Sequence, residues 1–403
     1  MKTMLLALTA SAALIGVVAP AAHAARGMEV AISDEDAMVD GKAGDREFAY
    51  QTAQGLNATR MRILVQWSRV SDANRRTPSA NPDYNWAPID TAIDQAAQHG
   101  MRTQLALAGP APAYATANRR IGVQKPKPAA YAKFVSAAAE HFKDRVDRYS
   151  IWNEPNYPSW LSPQRLSPKL YRGLYTAGYK AIKAADPQAQ VLIGETVPYD
   201  DPGIATAPLK WLRAVACVDD HYRRISGCTP LKADGYAHHP YEFAHAPNYR
   251  YPGTDNAPIG SLGRLSVALT KLARARALTT SSGRPLDIYL TESGYFVTGK
   301  RRVAAAKRAK WLPEQFQVAA KQPRVREMLQ YNVYVPQTTP FSTGLFTEGG
   351  SALPEYRTLQ AWTKTAAERN QIKPNTGPIE LPQVPATAQP PATPSPEPTS
   401  TTQ

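Results

Sequence analysis

Two glutamates, Glu154 and Glu292, stand where a carboxylate could act as an acid, a base or a nucleophile. Each ends a short run of apolar and β-branched residues, in the strings Trp152-Asn153-Glu154-Pro155-Asn156 and Thr291-Glu292-Ser293-Gly294. Hydrolysis of a glycosidic bond needs two carboxyl groups of unlike character, one protonated and one ionised. A single glutamate of this kind would equally suit a structural ion pair, but two at opposed strand ends favour this chemistry.

The elements that must carry these glutamates alternate between strand-like and helix-like patterns. Short β-branched or apolar runs predict strands at 28–32, 59–65, 102–108, 148–153, 191–195, 235–239, 287–292 and 328–335. Longer amphipathic segments predict helices at 87–99, 128–142, 167–185, 208–215, 260–277 and 303–320. Strands that alternate with helices are parallel. We therefore expect an α/β fold, a single (β/α)8 TIM barrel, over an open doubly wound sheet, for which no glycine-rich nucleotide turn is present.

The two glutamate strings carry a family resemblance. The string around Glu154 resembles the Asn-Glu signature of clan A glycoside hydrolases, and the string around Glu292 resembles the nucleophile strand of that clan. Two more segments resemble the clan: Tyr84-Asn85-Trp86 its segment after strand two, and Ala185-Asp186-Pro187 its entry to strand five. Gly344-Leu345-Phe346 resembles the last loop of families 5 and 39, in their secreted bacterial type. The resemblance covers nearly all of residues 26–370. It implies a retaining O-glycosyl hydrolase, with Glu154 as the acid/base and Glu292 as the nucleophile.

The same resemblance implies roles for the neighbours of the two glutamates. Asn153 would bind the sugar hydroxyl beside the reacting carbon, and Tyr241 would contact the nucleophile. His239 and Tyr241 are two residues apart, so they point to the same face of a strand. Arg62 would keep the nucleophile ionised by lowering its pKa, although Arg60 shares that strand face and is the alternative.

Aromatic residues supply the remaining candidates for substrate binding. Trp160 and Tyr295, with Trp67 and Tyr114, could stack on sugar faces, or could pack in loops and the core. In strand eight the clan usually has a tryptophan under the reacting sugar, whereas the run 331–335 offers only tyrosines. This departure leaves the identity of the sugar open, but not the two-carboxylate chemistry.

Other classes of function are weighed against this one. A carbohydrate-binding barrel without catalysis would usually have lost one carboxylate, and both are present. A serine esterase would need a Gly-x-Ser-x-Gly elbow, which the sequence lacks. The histidines His238, His239 and His245 have no carboxylate at metal-ligand spacing. We therefore expect no metal and no organic cofactor.

The first 24 residues predict a signal peptide. Lys2 supplies the positive start, residues 4–18 form an apolar run, and Ala22-His23-Ala24 is a small-residue cleavage site. The run is short for a membrane span, although an uncleaved anchor is the alternative. We expect the mature protein to begin at residue 25 and to be secreted. Outside the cell, the two cysteines Cys217 and Cys228 would form a disulfide rather than remain free thiols.

Composition and charge describe the rest of the chain. From about residue 371 proline, threonine and serine dominate, which predicts a disordered tail at 371–403 after one catalytic domain at 25–370. The 47 Lys+Arg exceed the 33 Asp+Glu, giving a net charge of +14. The densest basic cluster, Lys300-Arg301-Arg302, suits a solvated face or weak attraction to anionic cell-wall polymers. No nucleic-acid-binding pattern is present, and we expect a monomer that acts on a poly- or oligosaccharide.

Overall fold

The computed structural model describes residues 27–42, 44–79, 83–200, 205–336 and 341–382. The predicted signal peptide (1–24) and residues 383–403 of the predicted tail lie outside these ranges, so both assignments stay predictions. Among the described residues, no helix combines the length and the apolar character that crossing a membrane requires.

Eight parallel strands close into a barrel. They follow one another around it in chain order, and the first pairs with the last. The strands are β1 (Glu29–Ser33), β2 (Ala58–Gln66), β3 (Arg102–Ala108), β4 (Val146–Ile151), β5 (Gln190–Thr196), β6 (Gly235–His238), β7 (Ile288–Leu290) and β8 (Val325–Tyr331). The closed order confirms the predicted TIM barrel and excludes the open sheet.

Helices surround the barrel. They are α1 (Arg46–Gly55), α2 (Trp67–Val70), α3 (Ala87–Gln98), α4 (Pro128–His141), α5 (Ser167–Ala185), α6 (Pro208–Val215), α7 (Leu262–Arg274), α8 (Ala305–Ala320) and α9 (Pro354–Glu368). Five of them, α3 to α6 and α9, have proline at their first or second position, where its fixed φ suits the first turn. A short π-helical turn, Glu35–Val39, follows β1, and the two-residue strands Leu231–Lys232 and Leu278–Thr279 pair outside the barrel.

The interior of the barrel holds paired charges at the amino ends of its strands. Arg148 on β4 donates hydrogen bonds of 2.7 Å to both Glu29 and Glu327. Arg60 on β2 also pairs with Glu29, at 3.2 Å. The Arg148 guanidinium lies 4.5 Å from the ring centre of Tyr289, which belongs to a small apolar cluster with Leu192 and Ala237. Buried ions are tolerated when they are paired in this way.

The ordered chain continues past the predicted domain end at residue 370. Ile372 is buried and bridges to Met28 beside β1. Lys373 Nζ lies 3.1 Å from Glu29, and the Asn375 amide donates to the carbonyls of Ala58 and His99 at 2.6 and 2.8 Å. The structure thus extends the barrel domain into residues 371–382. Composition does not predict this extension, because the few residues that contact the barrel lie within a proline-rich stretch.

Cys217 and Cys228 are joined by a disulfide, as the sequence predicts. The bridge closes a loop with a sequence separation of 11 residues. This loop follows α6 and leads into the short strand Leu231–Lys232. The bridge therefore braces a segment on the outside of the barrel, on the way to β6.

Truncation separates the anchored segment from the residues beyond it. A chain ending at Asn370 should lose about 3–5 kcal/mol of unfolding free energy, from one buried isoleucine and two hydrogen bonds. A chain ending at Pro382 should match the full-length protein. Chemical denaturation of the three proteins makes the comparison, and equal midpoints for all three would show that residues 371–382 do not stabilise the barrel.

The disulfide can be tested by labelling and by substitution. Thiol labelling of the denatured, unreduced protein should find no free sulfhydryl. In the chain-entropy treatment, the double variant Cys217→Ser/Cys228→Ser should be about 2–3 kcal/mol less stable. The difference between variant and wild type should disappear when both are measured with reductant, and two reactive thiols per chain would contradict the pairing.

Candidate active site

A tight turn after β4 positions Glu154. Trp152 and Glu154 both adopt positive φ, 67° and 38°, a strained conformation that persists only where the surroundings enforce it. The Trp152 indole donates to the Trp160 carbonyl at 2.7 Å, and the Glu154 amide donates to the Glu195 carbonyl at 2.9 Å. These bonds hold the turn so that the Glu154 carboxyl faces the barrel mouth.

Glu292, two residues after the end of β7, faces Glu154 across the mouth. One carboxylate oxygen of each residue and one ring nitrogen of His239 all lie within 4.8 Å of one another. Both glutamates are only 7% exposed. The ends of strands four and seven thus bring the two acids together at the barrel mouth, where both are buried.

The hydrogen-bond donors around the two glutamates are unequally shared. The Tyr241 hydroxyl donates to Glu292 Oε2 at 3.0 Å, and Arg62 Nη1 lies 3.1 Å from Glu292 Oε1. His239 Nδ1 lies 2.9 Å from Glu154 Oε1 and 3.5 Å from Glu292 Oε2. Glu292 therefore meets more positive and donor groups than Glu154 does, and these groups stabilise its ionised form against the opposing effect of burial.

The pKa values of His239 and Glu292 are both shifted from their ordinary values. Burial lowers the pKa of His239, but the carboxylates around it, Glu292 foremost, outweigh burial and raise the pKa to about 9. His239 is therefore an imidazolium at neutral pH. Burial raises the pKa of Glu292, and the cations His239 and Arg62 oppose the rise without reversing it. Arg62 thus lowers this pKa as the sequence predicts, yet the net direction is upward because burial dominates.

Arg62, and not Arg60, is the arginine of the site. Its Nη2 donates to Glu195 at 2.6 Å and to the Asn153 amide oxygen at 2.9 Å, while its Nε donates to Glu195 at 3.2 Å. Arg60 lies deeper, paired with Glu29. Because Arg62 occupies the Asn153 amide oxygen, the amide NH2 of Asn153 is the group left for a sugar hydroxyl.

Glu195, at the end of β5, is a third carboxylate that sequence reasoning missed. It is fully buried, it accepts a hydrogen bond of 2.6 Å from Ser150, and it lies 3.7 Å from His239 Nε2. Burial raises its pKa, but Arg62 and His239 together bring the pKa down to about 2. Glu195 is therefore an anion at any working pH.

A β-bulge explains why Glu195 points into the barrel. Leu192 faces inward with Ala237, so strict alternation along β5 would turn Glu195 outward. The pairing with β6 shifts register between Gly194 and Thr196, and Glu195 has a φ of 55°. Bulges re-aim side chains next to active sites. The available signal was a glutamate closing an apolar run, as at the other two strand ends.

A cleft of about 590 Å³ opens beside Glu154. Aromatic rings line much of it: Tyr157, Trp160, Tyr199, Tyr241, Phe243, Tyr251 and Phe341. Trp160 thus lies where the sequence places a sugar-binding ring. Tyr295 does not, because its ring is buried 5.6 Å from that of Trp311.

The other two aromatic candidates also belong to the packing. Trp67 is fully buried and stacks on Phe134 at 5.2 Å. Tyr114 packs edge-on against Trp67, with 6.1 Å between ring centres. Of the four aromatic residues that the sequence singled out, only Trp160 lines the cleft.

Glu154, Glu292 and His239 are close enough to bridge a metal ion. A metal ion there would have to displace the proton of His239, whose pKa the surrounding carboxylates raise to about 9. The Arg62 cation stands beside the same carboxylates. This donor set suits proton transfer better than metal coordination.

The buried imidazolium makes stability depend on pH. The folded pKa of His239, about 9, exceeds the unfolded value of about 6.5, so its stabilisation is present below pH 6.5 and is lost as pH rises through 9. The unfolding free energy of the wild type should fall by roughly 3 kcal/mol between pH 6.5 and 9. Denaturant titrations across this range should show a much flatter slope for His239→Asn.

The adjacent histidine provides the matched control. Burial lowers the pKa of His238 to about 3, so His238 is neutral across the same pH range. His238→Asn should therefore keep the wild-type slope, whatever its overall stability. A slope that survives His239→Asn, or disappears in His238→Asn, would contradict the assignment of charge.

Comparison with known proteins supports the fold from a different direction. No protein-family profile and no curated protein sequence matches the chain. Solved structures do match, among them a family 39 glycoside hydrolase from Bacteroides cellulosilyticus WH2, with a TM-score of 0.61 at 16% identity over 84% of this chain and 64% of that one. The chain thus spans less than two thirds of the Bacteroides enzyme.

Two further structures give a similar result. The GH39 enzyme from Xanthomonas axonopodis pv. citri has a TM-score of 0.55 at 17% identity, over 85% of this chain and 66% of that one. Xylanase 10B from Thermotoga maritima has a TM-score of 0.55 at 14% identity, over 85% and 97%. At these identities the likeness shows the fold. The chain therefore has the same eight-stranded barrel fold as these glycoside hydrolases.

Proposed function

We propose that the protein is a retaining glycoside hydrolase that cleaves O-glycosidic bonds of a poly- or oligosaccharide by double displacement. The observation that carries this proposal is the spacing of Glu154 and Glu292, which have carboxylate oxygens within 4.8 Å of each other. Retaining enzymes keep these groups about 5–5.5 Å apart, whereas inverting enzymes need about 6.5–9.5 Å to admit a water molecule. The observed spacing favours direct attack by a carboxylate.

In the first step, Glu292 attacks the anomeric carbon while Glu154 gives its proton to the glycosidic oxygen. The bond to the leaving group breaks, the leaving group departs as an alcohol, and the sugar is esterified to Glu292. Tyr241, 3.0 Å from Glu292, stabilises the attacking carboxylate beforehand. His239, 2.9 Å from Glu154, stabilises the carboxylate that Glu154 becomes.

In the second step, the Glu154 carboxylate takes a proton from water as the water oxygen attacks the anomeric carbon. The ester bond to Glu292 breaks, Glu292 returns as a carboxylate, and the proton is again on Glu154. Two inversions at the same carbon retain its configuration. The free amide NH2 of Asn153 would hold the neighbouring sugar hydroxyl during both steps.

The lining of the cleft supports a carbohydrate substrate. Half-buried rings such as Trp160 present flat apolar faces that stack on sugar rings. The glycoside hydrolases among the similar structures support the same class of ligand. Several rings along one cleft favour a chain of sugar units over a single sugar.

Export is part of the same proposal. The apolar segment at residues 4–18 and its small-residue cleavage site suit secretion. The disulfide between Cys217 and Cys228 supports this, since such bridges persist in oxidising compartments. A secreted enzyme of this type would meet polysaccharide outside the cell.

The two glutamates should differ in how azide rescues their variants. Glu292→Ala should reduce turnover at least about 10⁴-fold, and azide should restore it with a product of inverted configuration. Glu154→Ala should lose about 10²–10⁴-fold on substrates whose leaving group needs protonation, and azide should then give a product of retained configuration. Proton NMR of the anomeric centre reads both outcomes on aryl glycosides.

Glu140, exposed on α4, is the matched control for removing a glutamate. Glu140→Ala should keep wild-type activity, and polysaccharide screens should use all four proteins. Binding of sugars without turnover would replace the proposal with a non-catalytic carbohydrate-binding barrel. Inversion of configuration by the wild type would rule out Glu292 as the nucleophile.

A further inference from the structure

The third carboxylate, Glu195, contacts both cations that face the catalytic pair. It receives two hydrogen bonds from the Arg62 guanidinium, at 2.6 and 3.2 Å, and lies 3.7 Å from His239 Nε2. Arg62 and His239 are also the cations nearest Glu292, at 3.1 and 3.5 Å. Glu195 therefore shares its countercharges with the two glutamates that carry the proposed chemistry.

Arg62, His239, Glu154, Glu195 and Glu292 form a buried charge cluster. The titratable groups in and around it come from every element packed against it. They are Glu35 after β1, Arg62 on β2, Tyr131 on α4, Glu154 after β4, Tyr171 on α5, Glu195 on β5, His238 and His239 at the end of β6, Tyr241 beyond it, Glu292 after β7, and Glu327 and Tyr331 on β8. The tyrosines stay neutral because burial raises their pKa values. His238 is neutral for the opposite reason, since burial lowers its pKa.

Two acids at the edge of the cluster have partners of their own. Glu327 pairs with Arg148 at 2.7 Å. Glu35 is half-buried, accepts a hydrogen bond of 2.8 Å from the Leu64 amide, and is partly screened by solvent. The charges that decide the proton count are therefore two cations, Arg62 and His239, and three buried carboxylates.

The proton count follows from neutrality, because a net charge in a buried cluster is costly. With Glu195 ionised, two cations face three carboxylates, and the cluster is neutral when the Glu154–Glu292 pair holds one proton. Without that third charge, two cations balance two carboxylates, and the pair needs no proton. An imidazole binds a proton more tightly than a carboxyl does, so His239 would keep its proton and the pair would lose the one it holds.

We propose that Glu195 is a positioning residue for the catalytic proton: it neutralises one of the two buried cations, so that the Glu154–Glu292 pair retains the single proton that the acid step uses. This inference rests on the proposed function for its catalytic meaning. The proton count itself does not, because it follows from the buried charges.

The variant Glu195→Gln removes the charge and keeps the shape. The pair should release its proton about one to two pH units lower than in the wild type, as expected for one charge lost at close range. The basic limb of the pH profile of kcat/KM should move to lower pH by the same amount. At pH 7, glycosides with poor leaving groups should slow about 10- to 100-fold, and those with strongly activated aryl leaving groups should change little.

Ser150→Ala is the matched control. It removes the 2.6 Å hydrogen bond to Glu195 but leaves the charge in place. The basic limb should therefore move by less than about half a pH unit, since no ionised group is lost. A shift as large as that of Glu195→Gln would show that hydrogen bonding at Glu195, rather than its charge, controls the limb, and would overturn the proposal.

A measurement that needs no activity separates this proposal from the proposed function. Carbon-13 NMR of protein labelled at the glutamate carboxyls, assigned with Glu154→Gln and Glu292→Gln, follows the proton of the pair directly. A lowered titration in Glu195→Gln supports the proton count, even if no glycoside is ever cleaved. A titration unchanged within about 0.3 pH unit overturns the proposal, even if the enzyme is active.

A charge-balanced double variant covers the case in which Glu195→Gln does not fold. Glu195→Gln/His239→Gln leaves one cation, Arg62, facing two carboxylates, so the pair should again hold one proton. In the NMR titration, the pair should then again release its proton at neutral or higher pH. A double variant whose pair is fully ionised at pH 6 would contradict the neutrality argument.

Discussion

The guanidinium of Arg62 is fully buried and reaches acceptors on three different segments of the chain. It bonds Glu195 on β5 and Asn153 after β4, and it lies 3.1 Å from Glu292 after β7. An arginine cannot shed its proton in a protein, and its planar fork fixes the direction of each bond. A permanent cation without access to water must be paired with anions, and here those anions lie at the barrel mouth. A lysine at this position would offer a point charge without that fixed fork.

The deeper part of the barrel follows the same rule. Arg148 bridges Glu29 and Glu327, each at 2.7 Å, and Arg60 completes the group at Glu29. Burial raises the pKa of Glu327 to about 7, against the pull of Arg148, whereas Arg60 and Arg148 hold the pKa of Glu29 low despite burial. The barrel thus contains two levels of paired charge instead of a wholly apolar core. Directional bonds from several strands hold the mouth in one geometry.

The sequence predicts the parts of this site that follow regular strand geometry. Glu154 and Glu292 end strands whose carboxyl ends meet, so the barrel topology alone places them together. Glu195 also ends an apolar run, but strict alternation assigns its side chain to the outer face, and only the bulge in β5 reverses that face. The surroundings of Tyr295 and Ile372 could not be predicted for another reason. Whether an aromatic ring reaches a cleft, or a lone isoleucine is buried, depends on contacts with distant segments. Tertiary packing decides such positions, and local pattern does not.

The segment that anchors Ile372 beside Met28 also bears on the order in which the chain can fold. On the side away from β2, β1 pairs with β8, and Met28 just before it bridges to Ile372. These partners lie some three hundred residues further along the chain. β1 and β2 are close in the sequence and can pair early, but the other side of β1 then has no partner. Contacts between such distant residues form late, because closing a long loop costs entropy before it is rewarded. Until β8 is available the chain can form only an open, incomplete sheet, so the barrel closes last where β1 meets β8.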